Sequence, residues 1–421
     1  MAKGALPGFR DFYPQEYAER AYLQRVWRDV ARRFAFVEYD GPPLEPLDLY
    51  TRKSGDEIVG QLYNFTDKGG REISLRPEMT PTFARMVAAK ANAMRKPVRW
   101  FSVPQLFRYE RQQKGRLREH FQLNVDIVGE ADVTADAELL AVAIEIARTA
   151  GLTQSDVRAR ISDRRLLRAL LDTLGVSGEQ TPGVFAVIDK IERQPLDLSR
   201  EKLAALGLAE GTVGRIVGLT GRVSLDGLRA EYGADNAVAE RLAELERYFG
   251  HLAALGVDGW AELDLKIVRG LAYYTGIVFE LFDAHGEFRA ICGGGRYDTL
   301  LQSLGGVDLP ALGFGMGDVV LGELLRARGL MKAEPAAPDY WVAYSDAAQL
   351  REAMQLAQAL RHTGASVEYA LHPQALGRQL KGASAAGALE AVIVREDHTL
   401  ILKSLASGEE RSVRLREGRL V

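Results

Sequence analysis

The sequence predicts an α+β protein of two or three domains, and three observations support this. At 421 residues the chain is longer than one hydrophobic core usually serves. β-rich runs and helical patterns occur in separate blocks along most of the chain. An Ala/Pro-rich stretch at 330–340, "LMKAEPAAPDY", then separates a short α/β tail from the rest.

The N-terminal part begins with an amphipathic helix over residues 17–34, where apolar side chains recur at helical spacing. These side chains are Leu23, Val26, Trp27, Val30 and Phe34. The helix ends before Pro42 and Pro43, which cannot continue it. Farther on, "ISLRPEMTPTFARMVAAK" predicts a strand, a sharp turn and a second helix. Thr80 is expected as its N-cap and Pro81 as its first helical residue.

The middle of the chain starts with a predicted hairpin. "VRWFSVPQLFRYE" and "FQLNVDIVG" are β-rich runs on either side of the polar turn "RQQKGRLRE", where Gly115 supplies the bend. Helical patterns follow at 134–150 and 162–174, and residues 175–260 are helical in composition with glycine breaks. Strand-like segments then return, and beyond the linker four more alternate with helical stretches. That alternation predicts a small C-terminal α/β domain.

Composition excludes several classes of protein. A hydrophobic fraction of 47% and a charged fraction of 26% are typical of soluble globular chains, and no run is long and apolar enough to span a membrane. The net charge of −3 leaves any nucleic-acid contact to local patches. The single cysteine, Cys292, fits a reducing compartment, so a cytoplasmic location is expected. None of the six histidines has zinc-ligand spacing, so no metal site is predicted.

Cationic side chains are concentrated around the hairpin turn, and a solvated turn is the ordinary explanation. These side chains are Arg108, Arg111, Lys114, Arg116 and Arg118. However, Arg108 and Glu110 share one strand face because they are two residues apart. Gln122, Asn124 and Asp126 repeat that spacing on the returning strand. A polar face through a strand pair that is otherwise half apolar predicts a site.

Arginine suits phosphate because its planar guanidinium makes bidentate charged hydrogen bonds. A site with several arginines and no serine or cysteine nucleophile motif suggests phosphate chemistry by positioning and charge neutralisation. "VRGLAYYTGIVFE" adds Arg269, which shares a face with Tyr273 by alternation, although Tyr273 and Tyr274 could equally be an aromatic core pair. "CGGGRYD" has neither Rossmann nor P-loop spacing, so its glycines indicate close backbone approach to a ligand or strand.

In combination these segments resemble the histidyl-tRNA synthetase family of class II aminoacyl-tRNA synthetases, over nearly the whole chain. "YDGPPLEPLDLY", with Pro43, resembles class II motif 1, "FRYERQQKGRLREHFQ" resembles motif 2, and "GFGMG" resembles motif 3. "LRPEMT" resembles the amino-acid-binding loop. "VRGLAYYTGIVFE" and "GGGRYD" resemble the two histidine-specific segments, and "LGRQLKGASAAGALEAVIV" resembles part of the anticodon-binding domain.

The resemblance implies a class II antiparallel six-stranded sheet with flanking helices and a homodimer built through motif 1. Residues 1–160 and 261–328 would form the catalytic core, and 161–260 a helical insertion domain. A linker at 329–340 would lead to an anticodon-binding-like α/β domain at 341–421. The implied reaction joins histidine to ATP as histidyl-adenylate, releases pyrophosphate, and transfers the histidyl group to the 3′ end of tRNA(His). Mg²⁺ would accompany the ATP.

The resemblance also implies roles for individual residues, with Arg108 holding the α-phosphate and Arg269 acting as the catalytic cation. The residues expected to bind histidine are Glu78, Met79, Thr80, Arg108, Gln122, Asp126, Arg269, Tyr273 and Tyr274. Those expected to bind ATP are Arg108, Glu110, Arg118 and His120. Those expected at the tRNA acceptor end are Gln113, Lys114 and Arg116, with Gln113 reading the extra 5′ guanosine.

Four positions depart from the family pattern. Val320 stands where motif 3 usually carries an arginine, and Ala272 replaces the aspartate common before the tyrosine pair. Asp126 is one methylene shorter than the usual glutamate, and His120 stands where an aromatic residue stacks on adenine. A cation elsewhere would have to compensate for Val320, with Arg116 or Arg118 as candidates. The same features resemble cyanobacterial and organellar members, which indicates a coherent subgroup.

Two alternatives stay open at this stage. One is a regulatory paralogue that binds histidine, activates ATP phosphoribosyltransferase and does not charge tRNA. Such paralogues usually lack the anticodon-binding domain, which this chain retains. The other is a simple nucleic-acid-binding module, which the near-neutral charge disfavours.

Overall fold

The computed structural model describes residues 4–51, 60–110, 117–268 and 273–421. The chain divides into two compact units, Met1–Ala333 and Glu334–Val421. Within the described ranges, no helix is both long enough and apolar enough to cross a membrane.

The first unit contains twelve strands in its described part. They are β1 (Val37–Glu38), β2 (Leu44–Pro46), β3 (Tyr63–Thr66), β4 (Glu72–Leu75), β5 (Val98–Ser102), β6 (Gln105–Phe107), β7 (Glu119–Val128), β8 (Val157–Asp163), β9 (Ala261–Leu263), β10 (Ile277–Asp283), β11 (Cys292–Arg296) and β12 (Ala311–Gly317). Strands β2, β4 and β3 form a small separate sheet, and most of the others form one large sheet.

The large sheet has the order β1-β5-β7-β12-β11-β10-β8-β9, with β6 paired to β7. Its six inner strands, from β5 to β8, are antiparallel at every step. At the two edges, β1 runs parallel to β5 and β9 runs parallel to β8. The predicted antiparallel six-stranded sheet is therefore confirmed, with a short parallel strand added on each side.

Helices pack on both faces of this sheet and fill the region between β8 and β9. They are α1 (Pro14–Arg33), α2 (Leu47–Thr51), α3 (Thr80–Lys90), α4 (Thr134–Thr149), α5 (Arg164–Thr173), α6 (Thr181–Ile188), α7 (Leu196–Ala205), α8 (Glu210–Leu219), α9 (Leu225–Tyr232), α10 (Asn236–Ala254), α11 (Leu300–Gly305) and α12 (Asp318–Ala327). Short 3₁₀ turns lie at Ala91–Ala93, Ile191–Arg193 and Asp258–Trp260.

The main core lies between the back of the sheet and helices α1, α4 and α12. Leu123, Val125 and Ile127 of β7 point into it, together with Trp27 of α1, because alternate residues of a strand face the same side. The opposite face of β7 is therefore left for the polar residues between them. Helix α5 begins where Asp163 caps it through the backbone N–H groups of Arg165 and Leu166.

The helical region from α5 to α10 is continuous with this core. Helix α10 packs on α4 and α5, and Leu245 and Tyr248 of α10 are fully buried. Strand β8 runs to Asp163, three residues past the expected boundary at 160, so the sheet extends into the segment assigned to the insertion. The limits of an insertion domain remain a prediction.

The second unit is a small α/β domain, as predicted. Its elements are β13 (Tyr340–Tyr344), a 3₁₀ turn (Ala347–Gln349), α13 (Leu350–Arg361), β14 (Val367–Tyr369), α14 (Leu376–Ala385), β15 (Glu390–Val394), β16 (Leu400–Ser404), β17 (Glu410–Val413), β18 (Leu415–Arg416) and β19 (Arg419–Leu420). The five-stranded sheet has the order β14-β13-β15-β16-β17, in which β13 is parallel to both neighbours. It has its own hydrophobic core.

Candidate active site

Five glycines form a floor on the front face of the large sheet, which is the face opposite the main core. The glycines are Gly293 and Gly295 on β11 and Gly313, Gly315 and Gly317 on β12. A Cβ atom at Gly313 would lie 2.1 Å from Asp126 Oδ1, and one at Gly315 would lie 2.2 Å from Gln122 Nε2. Because glycine lacks that atom, the side chains of Asp126 and Gln122 can lie across β12.

Polar side chains line the front face of β7, as its alternation predicts. His120, Gln122, Asn124 and Asp126 share this face, and register places the last three opposite Gly317, Gly315 and Gly313. Asn124 and Asp126 are buried, whereas His120 and Gln122 are half-buried. These polar side chains stand next to the glycines that β12 carries on this face, so a ligand has room to lie against the sheet.

Asp126 supplies the carboxyl group of this row. Its side chain is buried, and Oδ1 accepts a hydrogen bond from the Tyr297 hydroxyl. Burial raises the pKa of Asp126 to about 7, although the hydrogen bond from Tyr297 favours the charged form. Near neutral pH this carboxyl group can therefore either accept or donate a proton.

A chain of tyrosines connects Asp126 to Glu78. The Tyr273 hydroxyl donates to Glu78 Oε2 at 3.4 Å, and its ring lies edge-on to Tyr297 with 5.9 Å between centroids. Tyr274 is buried beside Tyr273, at 5.0 Å between ring centroids. The structure thus brings together four of the residues that the sequence predicts for histidine binding: Glu78, Asp126, Tyr273 and Tyr274.

The prediction that Thr80 caps a helix is wrong. Met79 takes a helical backbone conformation at the cap position, so α3 starts with Thr80 inside its first turn, and no side-chain cap hydrogen bond forms. Met79 is fully buried, and Thr80 is half-buried next to Glu78.

Arg108 and Arg118, from the two sides of the hairpin, lie at the end of this row. Arg108 Nε donates to the Pro77 carbonyl at 2.9 Å, which ties the hairpin to the segment carrying Glu78. Arg118 stacks over the ring of Tyr109 at 4.1 Å, and its Nε donates to the Glu110 carbonyl at 3.2 Å. The four residues predicted to bind ATP therefore lie on adjacent stretches of chain, with Arg108 and Glu110 just after β6 and Arg118 and His120 on either side of the first residue of β7.

His120 lies among these arginines as a neutral ring. Burial, followed by the nearby charges of Arg108 and Arg10, lowers the pKa of the His120 imidazole to about 3. An uncharged imidazole can stack on a purine, but it adds no charge to a phosphate site.

Several predicted residues lie outside the described part of the chain. They are Arg269, Gln113, Lys114 and Arg116, together with Ala272 and the bend at Gly115. Their roles stay predictions. Val320, at the position expected for an arginine, packs against the main core.

Sequence reasoning did not single out Tyr297, which contacts Asp126. The sequence signal for Tyr297 was its position directly after "GGGR". Strand β11 carries those glycines and ends at Arg296, so the next side chain lies at the edge of the site. Arg296, by contrast, turns out to be structural. It is buried in ion pairs with Asp136 and Asp298, and the Asp136 pair links it to α4.

An antiparallel sheet of six strands, with a polar front face and an arginine-bearing hairpin at one end, defines the catalytic domain of a class II aminoacyl-tRNA synthetase. Residues 8–318 match the family described as histidyl-tRNA synthetase. The chain is 46% identical over 397 residues to the histidine–tRNA ligase of Opitutus terrae, covering 93% of this chain and 91% of that protein. It is 40% identical over 412 residues to the chloroplastic/mitochondrial histidine–tRNA ligase of Arabidopsis thaliana, covering 97% and 84%. The chain belongs to the histidyl-tRNA synthetase family.

Solved structures share the fold. Histidyl-tRNA synthetase from Nostoc sp. PCC 7120 superposes with a TM-score of 0.85 at 24% identity, over 98% of this chain and 97% of that one. A Bacillus halodurans protein described as an ATP phosphoribosyltransferase regulatory subunit/histidyl-tRNA synthetase gives 0.76 at 23% identity, over 93% and 98%. Likeness at this identity shows the fold alone, so it does not separate a synthetase from a regulatory paralogue.

Proposed function

We infer that this chain is a histidine–tRNA ligase, which activates histidine with ATP and transfers the histidyl group to the 3′ end of tRNA(His). The observation that carries this is a pair of hydrogen bonds, from Tyr273 to the buried Glu78 and from Tyr297 to the buried Asp126, on a glycine floor beside Arg108 and Arg118. The relatives that share 40–46% identity over almost the full chain are histidine–tRNA ligases, which disfavours the regulatory alternative.

The histidine substrate is proposed to lie along the row from Glu78 to Asp126. Glu78, with Met79 and Thr80 beside it, would hold the α-amino group, because its carboxylate and the ammonium of histidine carry opposite charges. Asp126, Gln122, Tyr273 and Tyr274 would surround the imidazole. An isostere of histidine without the ring nitrogens would leave these polar groups unpaired. The site can therefore discriminate against such an amino acid by roughly 10⁴–10⁵ without an editing step.

Activation is proposed to proceed by in-line attack on the α-phosphorus of ATP. A histidine carboxylate oxygen forms the new P–O bond, the bond to the bridging oxygen of the β-phosphate breaks, and pyrophosphate leaves with the electron pair. Arg108, held by the Pro77 carbonyl, would neutralise charge on the α-phosphate together with Arg269. No side chain forms a covalent bond to the substrate.

The nucleotide is proposed to bind at the hairpin end, with Arg118 on its phosphates, Glu110 beside them and His120 stacked on adenine. In the described ranges, no three histidine, cysteine, aspartate or glutamate side chains come together as a metal site. Mg²⁺ usually binds through substrate phosphates and one or two carboxylates. It is therefore proposed to accompany ATP, where it would screen the phosphate charge.

The acceptor end of tRNA(His) is proposed to contact Gln113, Lys114 and Arg116, with the domain at 341–421 on the anticodon side. Gln113→Ala should leave histidine-dependent ATP–pyrophosphate exchange within about twofold and slow transfer to tRNA by about tenfold, because it removes only a base contact. Single-turnover transfer from preformed adenylate measures this. Equal losses in both steps would show that Gln113 acts elsewhere.

The chain is also proposed to act as a homodimer in the cytoplasm. Val37 of β1 is 61% exposed, Leu44 in the segment that resembles motif 1 is 40% exposed, and β1 is a two-residue edge strand in the described part of the sheet. Sedimentation of the purified protein tests the dimer. A single species of monomer mass at micromolar concentration would contradict it.

Aminoacylation tests the proposed function most completely. The purified chain, ATP, Mg²⁺ and radiolabelled histidine should charge a tRNA(His) transcript, and a tRNA of another specificity is the matched control. Charging of neither transcript, with histidine binding retained, would favour the regulatory alternative.

A further inference from the structure

The N-terminal segment is built into the nucleotide end of the site. The Gly8 carbonyl accepts a hydrogen bond from the Arg118 backbone N–H at 2.9 Å, and the Pro7 carbonyl accepts one from Arg118 Nη1 at 3.4 Å. Gly8 has a φ of +87°, and a Cβ atom there would lie 2.7 Å from Arg118 Cγ. Phe9 packs against the ring of Phe107 on β6. Residues 7–9 thus lie along the hairpin that carries the proposed ATP contacts.

Arg10 connects the start of β7 with the start of α12. Its Nε donates to Glu119 Oε1 at 2.6 Å, and its Nη1 lies 2.9 Å from Asp318 Oδ2. The other oxygen of Asp318 accepts from the Phe121 backbone N–H at 3.0 Å. The residues on both sides of His120 are therefore anchored, Glu119 through its side chain and Phe121 through its backbone, and Arg10 joins the two anchors.

The charge balance makes Arg10 necessary for this arrangement. The Glu119 and Asp318 side chains are 1% and 3% exposed. Within the described ranges, Arg10 is the sole ion-pair partner of either carboxylate. Removing one partner of a buried pair leaves an uncompensated charge, and here it would leave two that repel each other. The start of β7 would move away from the start of α12.

Helix α12 begins at Asp318, two residues before Val320, where an arginine is expected from the family pattern and where the valine packs against the main core. Arg10 brings a guanidinium to this helix start from the N-terminal segment. Its charge also reaches the front of the sheet, since it contributes to lowering the pKa of His120.

We propose that Arg10 is a positioning residue for ATP, which fixes His120 and Arg118 through Glu119, Asp318 and the N-terminal segment. This inference rests on the proposed function, because it concerns the nucleotide half of the same site. The histidine half is held by different contacts, at Tyr273 and Tyr297, so Arg10 should affect ATP and not histidine.

The test is steady-state ATP–pyrophosphate exchange with the KM for ATP and the KM for histidine measured separately. Arg10→Ala should raise the KM for ATP by about tenfold or more and leave the KM for histidine within about threefold. Arg10→Lys should raise the KM for ATP by about three- to fivefold and leave the KM for histidine unchanged, because an ammonium keeps the charge between Glu119 and Asp318 but loses the two separate donors of the guanidinium. The Lys variant also keeps the test valid if the Ala variant fails to fold.

Arg326→Ala is the matched control. Arg326 lines the same cavity of about 460 Å³ as Arg10, but it is half exposed and pairs with Glu19 at 2.5 Å. Both KM values should stay within about twofold in this variant. Equal rises of the two KM values in the Arg10 variants, or no rise in either, would overturn the inference. Absence of histidine-dependent exchange in the unmodified protein would instead overturn the proposed function.

Discussion

The proposed histidine end and the proposed nucleotide end of the candidate site differ in burial, in charge and in how their side chains are held. At the histidine end, Glu78 and Asp126 are buried, and each accepts a hydrogen bond from a tyrosine hydroxyl. At the nucleotide end, Arg108 and Arg118 are half-buried, and backbone carbonyls and an aromatic ring hold them. A buried end can reject the wrong amino acid through unpaired groups, whereas an open cationic end binds by charge and tolerates more change.

The largest effect is expected at Arg269, where both ends would meet at the reacting phosphate. Arg269→Ala should lower the rate of ATP–pyrophosphate exchange by about 10³-fold or more, because it removes charge stabilisation of the transition state. Arg168→Ala, an exposed residue paired with Asp172, is the matched control and should be neutral. Normal exchange in the Arg269 variant would remove it from the mechanism.

The next effect tests the glycine floor at the histidine end. Gly313→Ala places a Cβ atom 2.1 Å from Asp126 Oδ1 and 2.8 Å from the Val125 carbonyl, so Asp126 must move. An overpacking cost of about 2–3 kcal/mol corresponds to roughly 10²-fold in kcat/KM for histidine.

Gly317→Ala is the control on the same strand and face, because a Cβ atom there meets no atom of the described residues within 4 Å. It should leave kcat/KM for histidine within about twofold. If both variants lose activity equally, the glycines are needed for their backbone conformation and not for the space that they leave for Asp126.

A smaller effect is expected from Asp126→Asn, which keeps an acceptor for Tyr297 and removes the charge. The kcat/KM for histidine should fall by about tenfold above pH 7, and the pH dependence centred near 7 should disappear. If the pH dependence of kcat/KM persists in Asp126→Asn, another titrating group causes it.

The same variant tests stability. Because the pKa of Asp126 is raised to about 7, the folded state retains a proton that the unfolded state releases, so the free energy of unfolding falls as pH rises from about 4 to 7. Asp126→Asn should therefore be more stable than the unmodified protein at pH 8, by on the order of 3 kcal/mol, and equal to it near pH 4. Urea unfolding at both pH values measures this difference. If Asp126→Asn is less stable than the unmodified protein at pH 8, burial does not raise the pKa of Asp126 as described.

The smallest effect is expected from His120→Phe at the nucleotide end. Because the imidazole is neutral, a phenyl ring preserves the proposed stacking, and the KM for ATP should change by about threefold or less. A loss of tenfold or more, measured by exchange at saturating histidine, would show that His120 acts through a ring nitrogen.

Much of the fold could be predicted from the sequence, because its signals are local. The periodicity of residues 17–34 locates α1, and alternation along 119–128 separates the core face of β7 from its polar face. Thr80 shows where local reasoning fails, since the backbone conformation of Met79 moves the start of the helix by one residue.

The contacts that complete the site could not be predicted in this way, because they join distant parts of the chain. Tyr297 and Asp126 are separated by 171 positions, and Tyr273 and Glu78 by 195. The space that Gly313 leaves for Asp126 depends on the register of β7 with β12, which one sequence does not reveal. For the same reason Arg10 gave no signal until the structure placed it against Asp318.

The most direct test of the central claim is ATP–pyrophosphate exchange by the purified protein with each of the twenty amino acids in turn. We expect exchange with histidine alone, at a rate that Gly313→Ala lowers and Gly317→Ala does not. No exchange with histidine, or comparable exchange with several amino acids, would contradict the assignment of this site to histidine activation.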